Sequence, residues 1–264
     1  MINLHTIQDL QKNALVPQDN RTDPADKNSL NSGLLVVGTH RGCGKTVATA
    51  GLTAAMQDNG LTFQAIKPLE FAPSNSVIQT RDQDYMNRVT KVPQIPDNMV
   101  LANAHRMTNM DWNRLLHIMR TMTFPCLIEA PGTAASPLYY RNDELKDATA
   151  LAHELNIKML LVTHCSPYMI DNISPMITYL RSRQADLIGW MAVQTRDQTY
   201  ADEYQYWQQD VDSISREYQL PYLGVIGYSP SISVEQGHQG NLIAQVQQGV
   251  DLFPIQLAAG ARIA

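Results

Sequence analysis

A short apolar run, Leu34-Leu35-Val36-Val37, opens directly into Gly38-Thr39-His40-Arg41-Gly42-Cys43-Gly44-Lys45-Thr46, and this junction constrains the fold more than any other stretch of the chain. A buried strand feeding a glycine-rich loop that ends in Gly-Lys-Thr predicts a phosphate cradle. Glycines let successive backbone N–H groups converge on phosphate oxygens at the positive end of the next helix. On this pattern Gly38, Thr39, Gly42, Cys43, Gly44, Lys45 and Thr46 bind a nucleoside triphosphate, with Lys45 reaching the terminal phosphates and the Thr46 hydroxyl ligating Mg²⁺. Gly38 lies six residues before Gly44, so the loop is one residue longer than the common form. Cys43 reads as a small residue that fits the loop rather than as a redox sensor. Residues 47–56 carry apolar side chains at helical spacing, and Asn59-Gly60 supplies a stop.

Beyond the loop the chain alternates. Apolar runs at 61–67, 125–130, 157–162, 187–193 and 222–226 suit strands buried on both faces, and amphipathic stretches at 112–121, 144–155, 171–183 and 200–218 suit the helices between them. The expectation is an α/β fold of the P-loop NTPase type, a doubly wound, mainly parallel sheet with helices on both faces and ligands at the carboxyl ends of the strands. Residues 92–98 and the tail after Gly227 read as loops and a small closing element. The domain expectation is a polar N-terminal extension, 1–32, followed by one ATP-binding domain, 33–264.

The formal net charge of −5, with no Lys/Arg cluster, argues against a nucleic-acid partner. No apolar run is long enough to span a membrane, and the first 32 residues lack the basic start and apolar centre of a secretory signal. The three scattered cysteines fit a reducing compartment, so a cytoplasmic location is expected. Histidines and cysteines show no zinc-type spacing.

A triphosphate–Mg²⁺ site needs a carboxylate at a strand end in addition to Thr46. Glu129, closing the run Cys126-Leu127-Ile128 just before Ala130-Pro131-Gly132-Thr133, is the first candidate, and Asp84, with Asp82 beside it, is the second. Lys67 closes the second strand, and Pro68 keeps the backbone extended where its side chain meets the crevice. As structural residues, Glu129 would be a solvated strand terminus, the Asp pair helix-start acids, and Lys67 a surface cation.

Together these pieces resemble the dethiobiotin synthetases. The matching residues are Gly38-Thr39, Gly42, Gly44-Lys45-Thr46, Lys67-Pro68, Asp84, Glu129 with Gly132 three residues on, Ser136-Pro137-Leu138 and Gly189-Trp190, spread over residues 33 to about 228. The long loop alone is also similar to cobyrinic and cobyric acid enzymes. The resemblance implies an ATP-dependent cyclo-ligase of biotin synthesis, in which the small-molecule diamine 7,8-diaminopelargonate takes up CO₂ as a carbamate, receives the γ-phosphate and closes to a cyclic urea. It further implies Lys45 and Lys67 as catalytic cations, Thr46, Asp84 and Glu129 as metal ligands, and a homodimer.

Departures from the family pattern cluster on the acceptor side. His40-Arg41 follow Thr39; Leu69-Glu70-Phe71 replaces a small hydroxyl-bearing segment; Pro131 precedes Gly132; Val193-Gln194 stands where the family has an adenine-reading Asn; and Asp171 aligns with a substrate-facing Asn. Arg41, Phe71, Gly132 and Asp171 are therefore the candidate substrate residues, with Arg41 a possible anion clamp for a different acid. Two alternatives stay open: an ATPase or ligase of the same fold acting on another carboxylate, and a non-catalytic nucleotide-binding regulatory module. A membrane-associated partitioning ATPase fits less well, because the extra loop lysine of that group is absent.

Overall fold

The computed structural model describes residues 32–71, 81–91, 102–103, 107–141, 144–166, 169–195 and 207–260. The first half of the chain supplies β1 (Gly33–Gly38), α1 (Lys45–Asp58), β2 (Gln64–Ile66), β3 (Leu69–Glu70), α2 (Arg81–Val89), β4 (Ala102–Asn103), α3 (Asn109–Arg120) and β5 (Cys126–Glu129). The second half supplies β6 (Tyr139–Arg141), β7 (Glu144–Lys146), α4 (Ala148–Leu155), β8 (Lys158–His164), α5 (Met169–Ser182), β9 (Leu187–Val193), α6 (Trp207–Glu217), β10 (Tyr222–Ile226), α7 (Leu242–Gly249) and α8 (Leu252–Ala258).

Six of the strands form one parallel sheet in the order β10-β9-β8-β1-β5-β2. Its logic is visible in β1, where Leu34 and Val36 point into one core and Leu35 and Val37 into the other, all fully buried. A strand apolar on both faces needs helices on both sides. α1, α2, α7 and α8 cover one face, and α3, α4, α5 and α6 cover the other. The expected P-loop α/β fold is what the chain forms. Because β1 lies between strands reached in opposite directions, the carboxyl ends of β1, β5 and β2 open onto the crevice where such sheets bind ligands.

Strands 187–193 and 222–226 have the bounds read from the sequence, whereas 61–67 shortens to β2 and 157–162 runs on to His164. The expected helix over 144–155 is two elements: β7 pairs antiparallel with β6, and α4 starts only after Asp147. Asp147 is fully buried and its Oδ1 accepts the N–H groups of Thr149 and Ala150 at 2.9 and 3.1 Å, which sets the helix start. The tail after Gly227 holds more order than expected. α7 lies directly on α1, where a Cβ on Gly51 would stand 2.9 Å from both Leu242 and Val246. Eight- and seven-residue helices carry too few turns to show a clear period. The expectations for residues 1–31 and 92–98, and for the start of the 200–218 stretch, lie outside the described residues.

Candidate functional site

The loop leaves β1 at a point tied to β8 and to the loop that follows β5: the Thr39 N–H donates to the Val162 carbonyl, and the Ala134 N–H to the Gly38 carbonyl, each at 3.0 Å. Gly42 and Gly44 take positive φ, 77° and 97°, which turns the chain back into α1. Gly44 has no room for a side chain either, since its Cβ would meet that of Val193 at 2.5 Å. No side chain caps α1, which leaves its first N–H groups facing the loop. A Cβ on Gly38 would stand 2.5 Å from Cys43 Sγ and 2.9 Å from Lys45 Cδ, so this glycine lets Lys45 fold back over the loop. Cys43 is buried with its thiol 3.4 Å from the Val162 carbonyl, the packing role expected of it.

Sheet register brings the remaining charges to the loop. Val36 is level with Glu129 and Ile66 with Ile128, so Glu129 and Lys67 leave adjacent strands at the same height. The Thr46 hydroxyl donates to Glu129 Oε1 at 3.2 Å, and Lys67 Nζ stands 3.2 Å from that same oxygen. Lys67 also pairs with Glu70 Oε2 at 2.9 Å and with Asp82. Gln83 fixes the backbone beneath: it accepts the Lys67 N–H at 2.8 Å and donates to the Ala65 carbonyl at 3.2 Å.

Lys67 and Glu129 are 7 % and 2 % exposed, so their charges matter. Burial alone would lower the Lys67 pKa, but Glu129, Asp82 and Glu70 outweigh it and hold the ammonium above its ordinary range. Burial pushes Glu129 up, aided by Asp82 and opposed by Lys67, Lys45 and the Thr46 hydroxyl. Its Oε2 is buried with no hydrogen-bond partner. A divalent cation would satisfy that oxygen, so the residues fit the Mg²⁺ expected here. Among the described residues, no group of three or more His, Cys, Asp or Glu is arranged to hold an ion unaided. An ion at this place would need further oxygen ligands from phosphate and water.

These groups line a cleft of about 550 Å³ together with Arg41, Gly42, Gly44 and Gly132, and with Thr195, Ser233, Val234 and Glu235. Of the sequence candidates, the structure brings Gly42, Gly44, Lys45, Thr46, Lys67 and Glu129 together. Asp84 is not in the lining, and Asp82 stands there instead: two residues along α2 is about 200° around the helix. Arg41, Phe71 and Gly132 do meet. The Arg41 guanidinium lies 5.6 Å from the centre of the Phe71 ring, and a Cβ on Gly132 would stand 2.5 Å from that ring. Asp171 sits exposed in the first turn of α5, outside the lining.

Sequence reasoning missed Glu70 and the wall from the tail loop. Glu70 had a signal, since it lies three residues after Lys67 across a proline; Ser233, Val234 and Glu235 had none, because they follow no strand or helix pattern. Beside the loop, Thr39 Oγ1 is 3.1 Å from Thr163 Oγ1 and 2.9 Å from His40 Nδ1, and the His40 and His164 rings meet edge-on at 6.3 Å. Partial burial, His164 and Lys45 hold the His40 pKa below its ordinary value.

Residues 32–236 match the AAA domain family AAA_26. No curated protein sequence matches the chain. Among solved structures, it is similar to a chain of the MinC:MinD cell division protein complex of Aquifex aeolicus, at 13 % identity and a TM-score of 0.56 over 88 % of this chain and 98 % of that one. It is also similar to MinD of the same organism (13 %, TM-score 0.53, 88 % and 99 %). A ParA family ATPase of Chlorobium tepidum TLS follows (12 %, TM-score 0.51, 83 % and 98 %). At these identities the likeness establishes the fold alone, an α/β fold of the P-loop NTPase type. No helix among the described residues is long and apolar enough to cross a membrane.

Proposed function

This chain belongs to the AAA_26 family, which takes in dethiobiotin synthetase-like P-loop proteins, and from that premise we propose that it is an ATP- and Mg²⁺-dependent ligase that carboxylates and cyclises a diamine of the 7,8-diaminopelargonate type. The observation that carries the reading is the convergence of Thr46 and Lys67 on one carboxylate oxygen, Glu129 Oε1, beside the loop. Transfer of a phosphoryl group to a carbamate brings two anions together, and the site must offset their repulsion. Lys45 neutralises the terminal phosphates, and Lys67, kept protonated by its carboxylates, stands between phosphate and carbamate. Thr46, Glu129 and Asp82 hold the Mg²⁺, which supplies charge neutralisation on the phosphates. Arg41, stacked on Phe71 against Gly132, takes the acceptor's carboxylate. One amine takes up CO₂ and releases a proton; the carbamate oxygen takes the γ-phosphoryl group from ATP; the second amine then displaces phosphate and closes the ring.

The test is incubation of purified protein with the diamine, bicarbonate and MgATP. Formation of dethiobiotin with one ADP per product supports the reading, and ADP release without product overturns it. Under this proposal the protein is a homodimer, which light scattering checks. A second reading, a ParA/MinD-type ATPase cycle, is favoured by the shared fold. It expects slow turnover without any acceptor and a nucleotide-dependent change of oligomeric state.

A further inference from the structure

Lys67 Nζ touches three carboxylates: Glu129 Oε1 at 3.2 Å, Glu70 Oε2 at 2.9 Å, and Asp82. An ammonium has three N–H donors, so its capacity is filled. A divalent ion beside Thr46 would take the unpartnered Glu129 Oε2 and an Asp82 oxygen, while Glu129 Oε1 already accepts the Thr46 hydroxyl and holds Lys67. The Lys67 ammonium therefore stands on the metal's ligands. Two cations held by the same buried carboxylates repel each other strongly, so an arriving ion weakens the hold of Glu129 and Asp82 on the lysine.

Glu70 differs from the other two. It sits on the same short segment as Lys67, and its Oε1 accepts the Phe71 N–H at 3.2 Å, so its own loop orients it. It also lines the cleft, with its side chain 20 % exposed. Three carboxylates against one ammonium leave two negative charges, the complement of one divalent ion.

We propose that Glu70 is a positioning residue: it is the seat that keeps Lys67 in the cleft when a divalent cation takes Glu129 and Asp82. Glu70 holds the ammonium beside the phosphates and lowers the cost of handing the other two carboxylates to the metal. This rests on the reading of the loop as a Mg²⁺–nucleotide site and is independent of which acceptor the enzyme uses.

The test is a double-mutant cycle read by Mn²⁺ binding, using electron paramagnetic resonance on the full chain without nucleotide or acceptor. Lys67→Met removes the competing cation and is expected to tighten Mn²⁺ binding by about tenfold. Glu70→Gln removes the seat, leaves Lys67 on Glu129 and Asp82, and is expected to weaken Mn²⁺ binding about fivefold with Lys67 present but less than about twofold in the Lys67→Met background. Equal weakening in both backgrounds would mean that Glu70 acts only as a nearby charge and overturns the proposal, as does unchanged Mn²⁺ affinity in Lys67→Met. Circular dichroism checks folding, and Lys67→Gln carries the same comparison if the Met variant is unfolded. Because neither ATP turnover nor dethiobiotin enters the measurement, its failure is separate from failure of the ligase assignment.

Discussion

Thr46 donates its hydroxyl hydrogen to Glu129 Oε1 at 3.2 Å, joining the first turn of α1 to the end of β5 across 83 residues of sequence. The contact exists because β5 lies beside β1, so the residue closing one strand meets the helix that follows the other. A hydroxyl and a buried carboxylate thus stand together beside the loop before any nucleotide arrives, and that pairing frames the expected effects of substitution.

Lys45 is 6 % exposed and folded back over Gly38, so its charge is directed into the loop. Lys45→Ala removes charge-assisted hydrogen bonds to phosphate and raises the ATP dissociation constant by about ten- to a hundredfold. Isothermal titration calorimetry reads this, and an unchanged affinity would count against the loop as the phosphate cradle.

Two loop glycines differ in a way that urea unfolding can separate. Gly44→Ala combines a positive φ with a collision on Val193 and costs about 3 kcal/mol. Gly42→Ala meets nothing within 4 Å and costs about 1 kcal/mol, from φ alone.

Gln83 is buried and serves the Lys67 N–H and the Ala65 carbonyl at once. Gln83→Ala orphans both groups and lowers stability by about 2 kcal/mol. Because α2 also presents Asp82, the same variant raises the Mg²⁺ concentration needed for half-maximal ATP turnover. A stability loss with unchanged Mg²⁺ demand separates the two roles and removes the second.

Asp147 supplies a pH signature outside the cleft lining. Burial would raise its pKa, but bonds from Thr149, Tyr179 and the Ala150 N–H, with the Arg183 charge, hold it below the ordinary 3.8. A carboxylate whose pKa is depressed by folding adds stability above its unfolded value, and that contribution is lost as pH falls through the folded one. Asp147→Asn is therefore expected to cost about 2 kcal/mol near neutral pH and progressively less below the unfolded value. Guanidinium unfolding of both proteins across that range checks it, and a constant difference contradicts it.

Arg41→Ala leaves Phe71 and the phosphate side in place. Acceptor KM is expected to rise by about tenfold or more while ATP affinity stays within about threefold. Steady-state kinetics with each substrate varied in turn reads the split, and equal loss on both substrates would put Arg41 on the phosphates.

The sheet was legible because β1, β5, β8, β9 and β10 are continuous apolar runs, a pattern local enough to read residue by residue. The loop was legible for the same reason, since its chemistry lies in consecutive residues. Glu129 and Lys67 could be found because each closes a strand. Asp84 was the acid chosen from the sequence, but Asp82 lines the cleft, because the rotation of α2 about its axis is set by packing of Tyr85, Met86 and Val89 into the core. The helix expected over 144–155 broke at Asp147 because strand pairing with β6, a contact with another segment, claimed its first residues.

What the sequence by itself determined was the strand–loop–helix unit and the alternating order that makes a parallel sheet of the P-loop type. Each follows from neighbouring residues, whose periodicity and backbone freedom act locally. Only the tertiary structure decided which carboxylates surround Lys67, that Arg41 meets Phe71 and Gly132 while Asp171 stays outside the cleft, and that Ser233, Val234 and Glu235 of the tail loop line it. Those relationships depend on sheet register and helix rotation, set by the summed packing of two cores, and no single stretch of sequence carries that sum.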